Sequence, residues 1–331
     1  MTFLKRRFWF AALLGAVTVI GISFALLLGE ARLHRMAGSG GFIKWVDFTV
    51  TAEAMNDALK VDLETYGKDV HVNWIDILAY LGTQYGGNFK SYNKRDLNRF
   101  VERLTDGETV EEITLTMKYF SYYRKAYGAV LSEYVGEFYR DGQLLYGLRA
   151  FSPIASGYYY EHYDDFGASR SYGYKREHLG HDLMGSIGTP VIAIESGYVE
   201  AIGWNQYGGW RIGIRSFDNQ RYYYYAHLRK DHPYVANLSL GDIVTAGDVI
   251  GYLGMTGYSA TENVNNINVP HLHFGIQLIF DVSQKDGVNQ IWIDCYEITK
   301  FLYQNRMKTV VTADGKDRRA ACEIVISSIP D

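Results

Sequence analysis

The sequence contains few cysteines and few prolines, and it has no excess of positive charge. Its 331 residues include two Cys and five Pro, and the formal net charge is −4. Two cysteines exclude a disulfide-dense scaffold and a zinc site built from four thiolates. The charge argues against a protein that binds nucleic acid through bulk positive charge, so we expect no nucleic-acid partner. A hydrophobic share of 47% excludes disorder of the whole chain.

The first segment of the chain is strongly apolar. Residues 8–28 are 21 consecutive positions without a charged side chain, and as a helix they would span about 30 Å, the hydrocarbon thickness of a bilayer. The basic run 5–7 places the preceding end in the cytoplasm. A cleaved signal peptide is the main alternative, although its apolar region is usually about 7–15 residues long. We therefore expect residues 1–28 to be a cytoplasmic tip and a transmembrane anchor.

Two regions with different patterns follow. Apolar residues at helical spacing predict helices from residue 72 to 86, across 97–104 and from 110 to 138, within a linker and mainly helical module that spans residues 29–149. After about residue 146, short apolar runs separated by glycines predict a β-sheet or barrel.

These patterns together predict a multidomain α+β protein. We expect a transmembrane helix, the helical module, a mainly antiparallel β-domain over residues 150–303 and a C-terminal tail over residues 304–331. A hydrolase of lysozyme type in the helical module would need a general-acid Glu early in its first helix, which offers only Asp76. A spacer, a regulatory unit or a binding site for a protein partner is therefore expected for the module.

The histidines carry the most informative chemical pattern. His271 and His273 are separated by one residue within a predicted strand, so both imidazoles should point into the same cleft. Imidazole is the commonest metal ligand in proteins. A pair of structural histidines is the simpler alternative, and the spacing alone does not say which of the two would bind a metal.

A second group precedes the β-strands. His178 and Asp182 are four residues apart, but Gly180 argues against a helix and favours a loop that enters a strand, with both side chains reaching one metal. Two His and one Asp would leave a fourth position for water, as a hydrolytic zinc site requires. His181 should point away from Asp182, toward the surface or behind the ligands.

His227 follows an aromatic strand. Strict alternation would send Tyr223, Tyr225 and His227 to one face of the sheet, and Tyr222 and Tyr224 to the other. A His at the end of a strand beside a metal cleft can hydrogen-bond the attacked carbonyl or the activated water. Without such a cleft it would be an ordinary core or surface residue.

The motifs around His178, His227 and His271 occur in an order that resembles the M23 family of zinc metallopeptidases, the lysostaphin/LytM-type peptidoglycan endopeptidases. The similarity covers roughly residues 150–280 and extends to the strand pair after residue 188, the Gly-Asp hairpin over 240–251 and the turn over 254–257. The loop over 258–270 is longer than is common in the family, and Gly275 stands where many relatives have Glu.

The resemblance implies a LytM/lysostaphin-like catalytic domain of barrel-sandwich type. It implies that His178, Asp182 and His273 bind one Zn²⁺ per chain, and that His271 and His227 are the catalytic pair. The expected reaction is hydrolysis of peptide bonds in peptidoglycan by a metal-activated water. The implied location is the membrane of a bacterial cell, in a single-pass protein with its N-terminus in the cytoplasm and its catalytic domain outside. A non-catalytic scaffold that binds the cell wall or a partner protein is the alternative.

Overall fold

A computed structural model of the chain describes residues 44–172, 174–285 and 289–326. The α-helices of this part are α1 (Ala52–Thr65), α2 (Trp74–Gln84), α3 (Lys94–Thr105), α4 (Val110–Thr114), α5 (Phe120–Leu131) and α6 (Tyr296–Leu302). The first eight strands are β1 (Lys44–Val46), β2 (Val135–Arg140), β3 (Gln143–Leu148), β4 (Tyr160–Tyr163), β5 (Ser169–Tyr172), β6 (Tyr174–Glu177), β7 (His181–Gly185) and β8 (Pro190–Ile192). The later strands are β9 (Gly197–Asn205), β10 (Gly209–Ser216), β11 (Arg221–Ala226), β12 (Ile243–Val244), β13 (Val249–Tyr252), β14 (His271–Leu278), β15 (Ile291–Ile293), β16 (Thr309–Val311), β17 (Arg318–Ala320) and β18 (Ile324–Val325).

The helices lie around α2. Thr51, Asn73 and Asn93 each accept a backbone N–H at the start of α1, α2 and α3, which satisfies donors that a helix N-terminus leaves unpaired. Every residue of α2 from Trp74 to Gly82 is buried. Helices α1, α3 and α5 pack against it. A helix that is apolar on all sides needs partners on all sides, so α2 is the centre of the helical part.

The main sheet of the described residues has nine strands, in the order β1-β15-β14-β11-β10-β9-β12, with β7 beside β14 and β4 beside β7. Its strand pairs are antiparallel except for β1 and β15. Strand β14 has β11 along one side. On its other side, the first half pairs with β7 and the second half with β15.

One face of this sheet is covered by the helices. Tyr223, Phe274 and Ile276 point to that face, are fully buried and belong to one hydrophobic core that also includes residues of α1, α2 and α5. A buried ion pair adds polar contacts there, because Arg221 binds Glu195 and donates at 2.9 Å to the backbone carbonyl of Ala129 in α5. The opposite face, which carries the alternate residues of the same strands, remains open as a cleft.

The predicted transmembrane helix is corrected by the structure. In residues 44–172, 174–285 and 289–326, no helix has the length and apolar character needed to cross a bilayer. The longest, α1, has 14 residues and rises about 21 Å, against a hydrocarbon thickness of about 30 Å. Residues 8–28, on which the prediction rests, lie outside the described residues. The single-pass membrane location was inferred from that helix, so it is corrected with it.

Other parts of the fold prediction differ in detail. Helices α2 and α3 occupy the segments where the apolar spacing predicts them. The segment predicted as helical over 110–138, with room for one break, forms α4 and α5, but its end is the start of β2, which pairs with β3 and with β18. Helix α1 has no counterpart in the prediction. The two cysteines, Cys295 and Cys322, are both free. The predicted domain boundaries stay predictions.

Candidate metal centre

Two adjacent strands and the loop before one of them bring three ligand side chains together. Asp182 of β7 lies directly opposite His273 of β14 in the strand register, and His178 precedes β7 by three residues. The His178 Nε2 atom lies 3.0 Å from Asp182 Oδ1 and 2.9 Å from His273 Nδ1. Asp182 Oδ1 lies 3.0 Å from His273 Nδ1. Among the described residues, these three are the group whose ligand atoms converge closely enough to hold a metal ion.

The three side chains fit a zinc ion in chemistry and in spacing. Zinc binds imidazole nitrogen and carboxylate oxygen at about 2.0–2.2 Å, and tetrahedral ligands at that distance lie about 3.3 Å from one another. The atoms here are only a few tenths of an ångström closer than that. With three protein ligands, the fourth position of a tetrahedral ion is left for water or substrate.

The protonation of the site follows from its charges. Burial lowers the pKa of His178, but its hydrogen bonds to Asp165 and Asp182 outweigh burial and raise that pKa to about 9. Burial opposes ionisation of Asp182, but hydrogen bonds from His178 and His273 hold the pKa of this carboxyl far below its usual range. Burial lowers the pKa of His273. Two ligands are therefore ready for a metal, while His178 must first lose a proton.

Two residues that the sequence analysis missed support the ligands. His178 Nδ1 donates to the backbone carbonyl of Asp165 at 3.3 Å and lies 3.0 Å from its carboxylate oxygen Oδ1, which leaves Nε2 of that ring as the ligand atom. Arg170 forms ion pairs with Asp165 and, at 3.2 Å, with Asp182 Oδ2, the oxygen that faces away from the histidines. In the sequence, the signal for Asp165 is limited to its position in the acidic and aromatic stretch before His178.

The two remaining histidines of the motifs also face the cleft. The His271 Nδ1–H donates to the Val269 carbonyl at 2.8 Å, and its Nε2 lies 3.7 Å from Asp182 Oδ1. The His227 Nδ1–H donates to the Thr256 carbonyl at 2.9 Å. The two rings are 4.8 Å apart. Because a backbone carbonyl can only accept, each ring keeps its proton on Nδ1 and presents Nε2 to the cleft.

The structure corrects the predicted face of His227. Tyr223 and Tyr225 are buried in the core, but His227 lines the cleft together with Tyr222 and Tyr224. The backbone of His227 has a φ of +61°, which ends the alternation of β11 and turns this side chain to the other face. Burial and the nearby histidines hold its pKa well below the ordinary value, so the ring is neutral.

Two other residues of the motifs, His181 and Gly275, have close neighbours in the structure. His181 is buried behind the ligands, with Nε2 3.0 Å from His162 Nδ1, and burial lowers its pKa to about 3. It therefore does not lie at the surface. A Cβ at Gly275 would lie 2.7 Å from a ring atom of Trp292. Trp292 therefore occupies the space that a side chain longer than glycine would need at position 275.

The metal ligands open into a long cleft of about 1890 Å³. Its floor is the open face of the main sheet, and hairpin β5–β6 and the segment around Tyr258 form two of its walls. Gly86, Gly87 and Lys90, which follow α2, also line it. The helical part therefore contributes to the cleft as well as covering the other face of the sheet.

Comparison with known proteins agrees with this arrangement. Residues 176–289 match Peptidase family M23. The chain is similar to the L-Ala–D-Glu endopeptidase of Bacillus subtilis (strain 168), with 36% identity over 168 residues, 50% of this chain and 49% of the relative. It is also similar to lysostaphin of Staphylococcus simulans, with 43% identity over 98 residues, 29% of this chain and 17% of the relative. The chain thus spans about half, or less, of these relatives.

A solved structure shares the fold over most of the chain. A lytM protein from Ruminococcus gnavus ATCC 29149 superposes with a TM-score of 0.54 and 23% identity, covering 82% of this chain and 94% of that one. The shared region covers 82% of this chain, so it extends beyond residues 176–289. The predicted LytM-like β-rich domain is confirmed.

Proposed function

We propose that this protein, through residues 176–289 that match Peptidase family M23, is a zinc-dependent endopeptidase that hydrolyses peptide bonds in peptidoglycan. One observation carries the proposal. His178, Asp182 and His273 converge on one point of a long cleft, and His227 and His271 turn their Nε2 atoms to the same place. The relatives, an L-Ala–D-Glu endopeptidase and lysostaphin, supply the substrate class.

In this proposal His178, Asp182 and His273 hold one Zn²⁺. When bound, the ion would act as a Lewis acid and lower the pKa of a coordinated water from about 15.7 toward 7. Asp165 and Arg170 hold His178 and Asp182 in place through the contacts described above. Mutation of such supporting residues typically lowers metal affinity by about ten- to a hundredfold.

His271 and His227 act on the reacting atoms. His271 Nε2 lies nearer to the ligand carboxylate, so we assign to it the proton that leaves the attacking water. The water oxygen bonds to the peptide carbonyl carbon, the C–N bond then breaks, and the same proton passes to the departing amine. His227 is neutral with its proton on Nδ1, so its Nε2 can accept a hydrogen bond from the attacking water beside His271. Loss of a group that handles a proton at the reacting atoms typically lowers the rate by about 10²–10⁴.

A non-catalytic scaffold on the same fold is the second candidate. Such a scaffold needs the cleft but has no need of metal ligands, and the ligand set here is complete and supported by Asp165. A protein partner for the helical part stays a prediction, because no contact of the described residues identifies one.

The test measures metal and hydrolysis together. The full chain should contain about one zinc and release new amines from purified peptidoglycan, and a chelator should stop that release. His273→Ala should lose both properties. His232→Gln is the matched control, because His232 hydrogen-bonds Asp317 outside the cleft, and it should keep both. Zinc-free protein, or zinc-loaded protein that releases no amines from peptidoglycan, would contradict the proposal and favour the scaffold.

A further inference from the structure

The cleft is positively charged although the chain is not. Seven basic and four acidic side chains line it, whereas the whole chain has a net charge of −4. A cleft that concentrates one sign of charge attracts ligands of the opposite sign. The distribution of these charges therefore indicates which substrates the cleft selects.

Two of these basic side chains lie on the cleft floor, and both are arginines of one strand. Arg211 and Arg215 are on the open face of β10, while Ile212 and Ile214 between them are fully buried in the core. Arg215 binds Glu200 through Nε at 2.7 Å and through Nη2 at 2.6 Å. Glu200 also binds Lys285, so this carboxylate is already shared.

Arg211 has no such partner. Among the described residues, none forms a hydrogen bond or an ion pair with its side chain, and its Nε is buried without an acceptor. Nη1 of Arg215 is buried without an acceptor as well. Buried N–H groups of an arginine that lack acceptors are costly, and a bound anion would satisfy them.

A glycine and a tyrosine shape the space between the two arginines. Gly213 lies between them on the same strand face, and a Cβ there would lie 1.8 Å from the hydroxyl oxygen of Tyr222. Only glycine therefore allows this ring to lie across the strand. Burial raises the pKa of Tyr222, so its hydroxyl stays protonated and can donate to an anion.

The strand register places these groups close to the metal ligands. Ile212 is opposite Tyr225, and Tyr225 is opposite Phe274, the neighbour of His273. Arg211 therefore lies two strands from His273, which separates their backbones by about 10 Å. An extended peptide advances about 3.3 Å per residue. A group bound to Arg211 would thus be within about two or three residues of the bond being cut.

We propose that Arg211, with Tyr222 and Arg215 beside it, binds a free carboxylate of the substrate, so that the enzyme selects peptides with an ionised acidic residue near the scissile bond. This inference rests on the proposed endopeptidase function and adds its substrate class. A carboxylate accepts two parallel N–H groups from a guanidinium, a geometry that a carboxamide cannot satisfy with both atoms. Neutral glycine-rich peptides would gain nothing from this subsite.

The experiment compares two synthetic stem-type peptides that differ only in one group, a free side-chain or α-carboxylate against its amide. We expect the full-length zinc-loaded protein to cleave the carboxylate peptide with a kcat/KM about ten to a hundred times higher, which is the contribution of a charge-assisted hydrogen bond. Arg211→Gln should reduce this ratio to about one, and Arg211→Lys should restore part of it because the charge returns without the fork. Arg95→Gln, a change at an exposed arginine of α3 outside the cleft, is the matched control and should leave the ratio unchanged.

Binding of the same peptides to chelator-treated protein separates the two proposals. If no peptide is cleaved but the carboxylate peptide binds more tightly and Arg211→Gln abolishes that difference, the endopeptidase function is wrong and the carboxylate subsite stands. If cleavage occurs with equal efficiency for both peptides, the endopeptidase function stands and the subsite is wrong. A ratio that stays high in Arg211→Gln would also overturn the subsite.

Discussion

Metal affinity of this site should depend steeply on pH because one ligand holds a proton. Asp165 and Asp182 flank His178, and although burial opposes them, they raise its pKa to about 9. The pKa of His273 is lowered by burial, so that ring is already neutral near pH 7. Zinc requires deprotonated ligands. Binding near neutral pH should therefore release one proton, and that proton should come from His178.

The magnitude follows from that pKa. Below about pH 9, each unit of pH reduces the deprotonated fraction of His178 tenfold, so the apparent zinc affinity should fall about a hundredfold from pH 8 to pH 6. Chelator competition measures the affinity. Titration calorimetry in two buffers with different ionisation enthalpies gives the number of protons released when zinc binds. It is best done near pH 6, because there the water bound to zinc keeps both of its protons.

Asp165→Asn provides the control for this prediction. The amide removes one of the two charges that hold the proton on His178, so the steep region should move to lower pH. It also weakens the support of the ring, so affinity above about pH 9 should fall by about ten- to a hundredfold. A wild-type affinity that changes less than about threefold between pH 6 and pH 8, or the release of no proton near pH 6, would refute the reasoning.

Three further predictions concern single residues. His271→Ala should keep zinc and lose about 10²–10⁴ in the rate of amine release; metal analysis and the release assay check it, and full activity would contradict the assigned role. Gly180→Ala should lose zinc on dialysis, because its Cβ would lie 2.5 Å from the ring of His273, whereas Gly128→Ala, with no atom within 4 Å, should keep it. Glu195→Gln should cost about 1–3 kcal/mol in urea unfolding, because it removes one of the two carboxylates that pair with the fully buried Arg221 and leaves Asp218; a cost below about 0.5 kcal/mol would show that the Glu195 pair is dispensable.

The candidate ligands could be predicted from the sequence because their arrangement is local. His271 and His273 share a face through the two-residue period of a strand, and Asp182 needs only one strand pairing to lie opposite His273. Arg211 could not be found in this way. Its proposed role depends on two further strand pairings and on the lack of a side-chain partner within the part of the chain that the structure describes, and neither leaves a mark on the sequence around it.

The fold prediction was wrong where the apolar spacing was ambiguous or weak. Leu131, Tyr134 and Phe138 are spaced as on a helix, but Phe138 lies in β2, whose pairing with β3 and β18 determines its structure. Helix α1 was missed because Ala54 and Ala58 supply half of its buried apolar face. Alanines favour a helix but give a weak hydrophobic signal, so long-range packing decides such segments.

The proposed separation of the ligand His178 from the catalytic residues His227 and His271 rests on what each ring contacts with its Nδ1. His178 Nδ1 lies 3.0 Å from the carboxylate of Asp165, and a negative charge behind the ring makes its Nε2 a stronger ligand. His227 and His271 give Nδ1–H to neutral backbone carbonyls, so their Nε2 atoms face the cleft without a charge behind them. A carboxylate behind His271 would raise its basicity and draw it toward the metal. The backbone carbonyl of Val269 places no such charge behind His271, which suits the proton transfer that we propose for it.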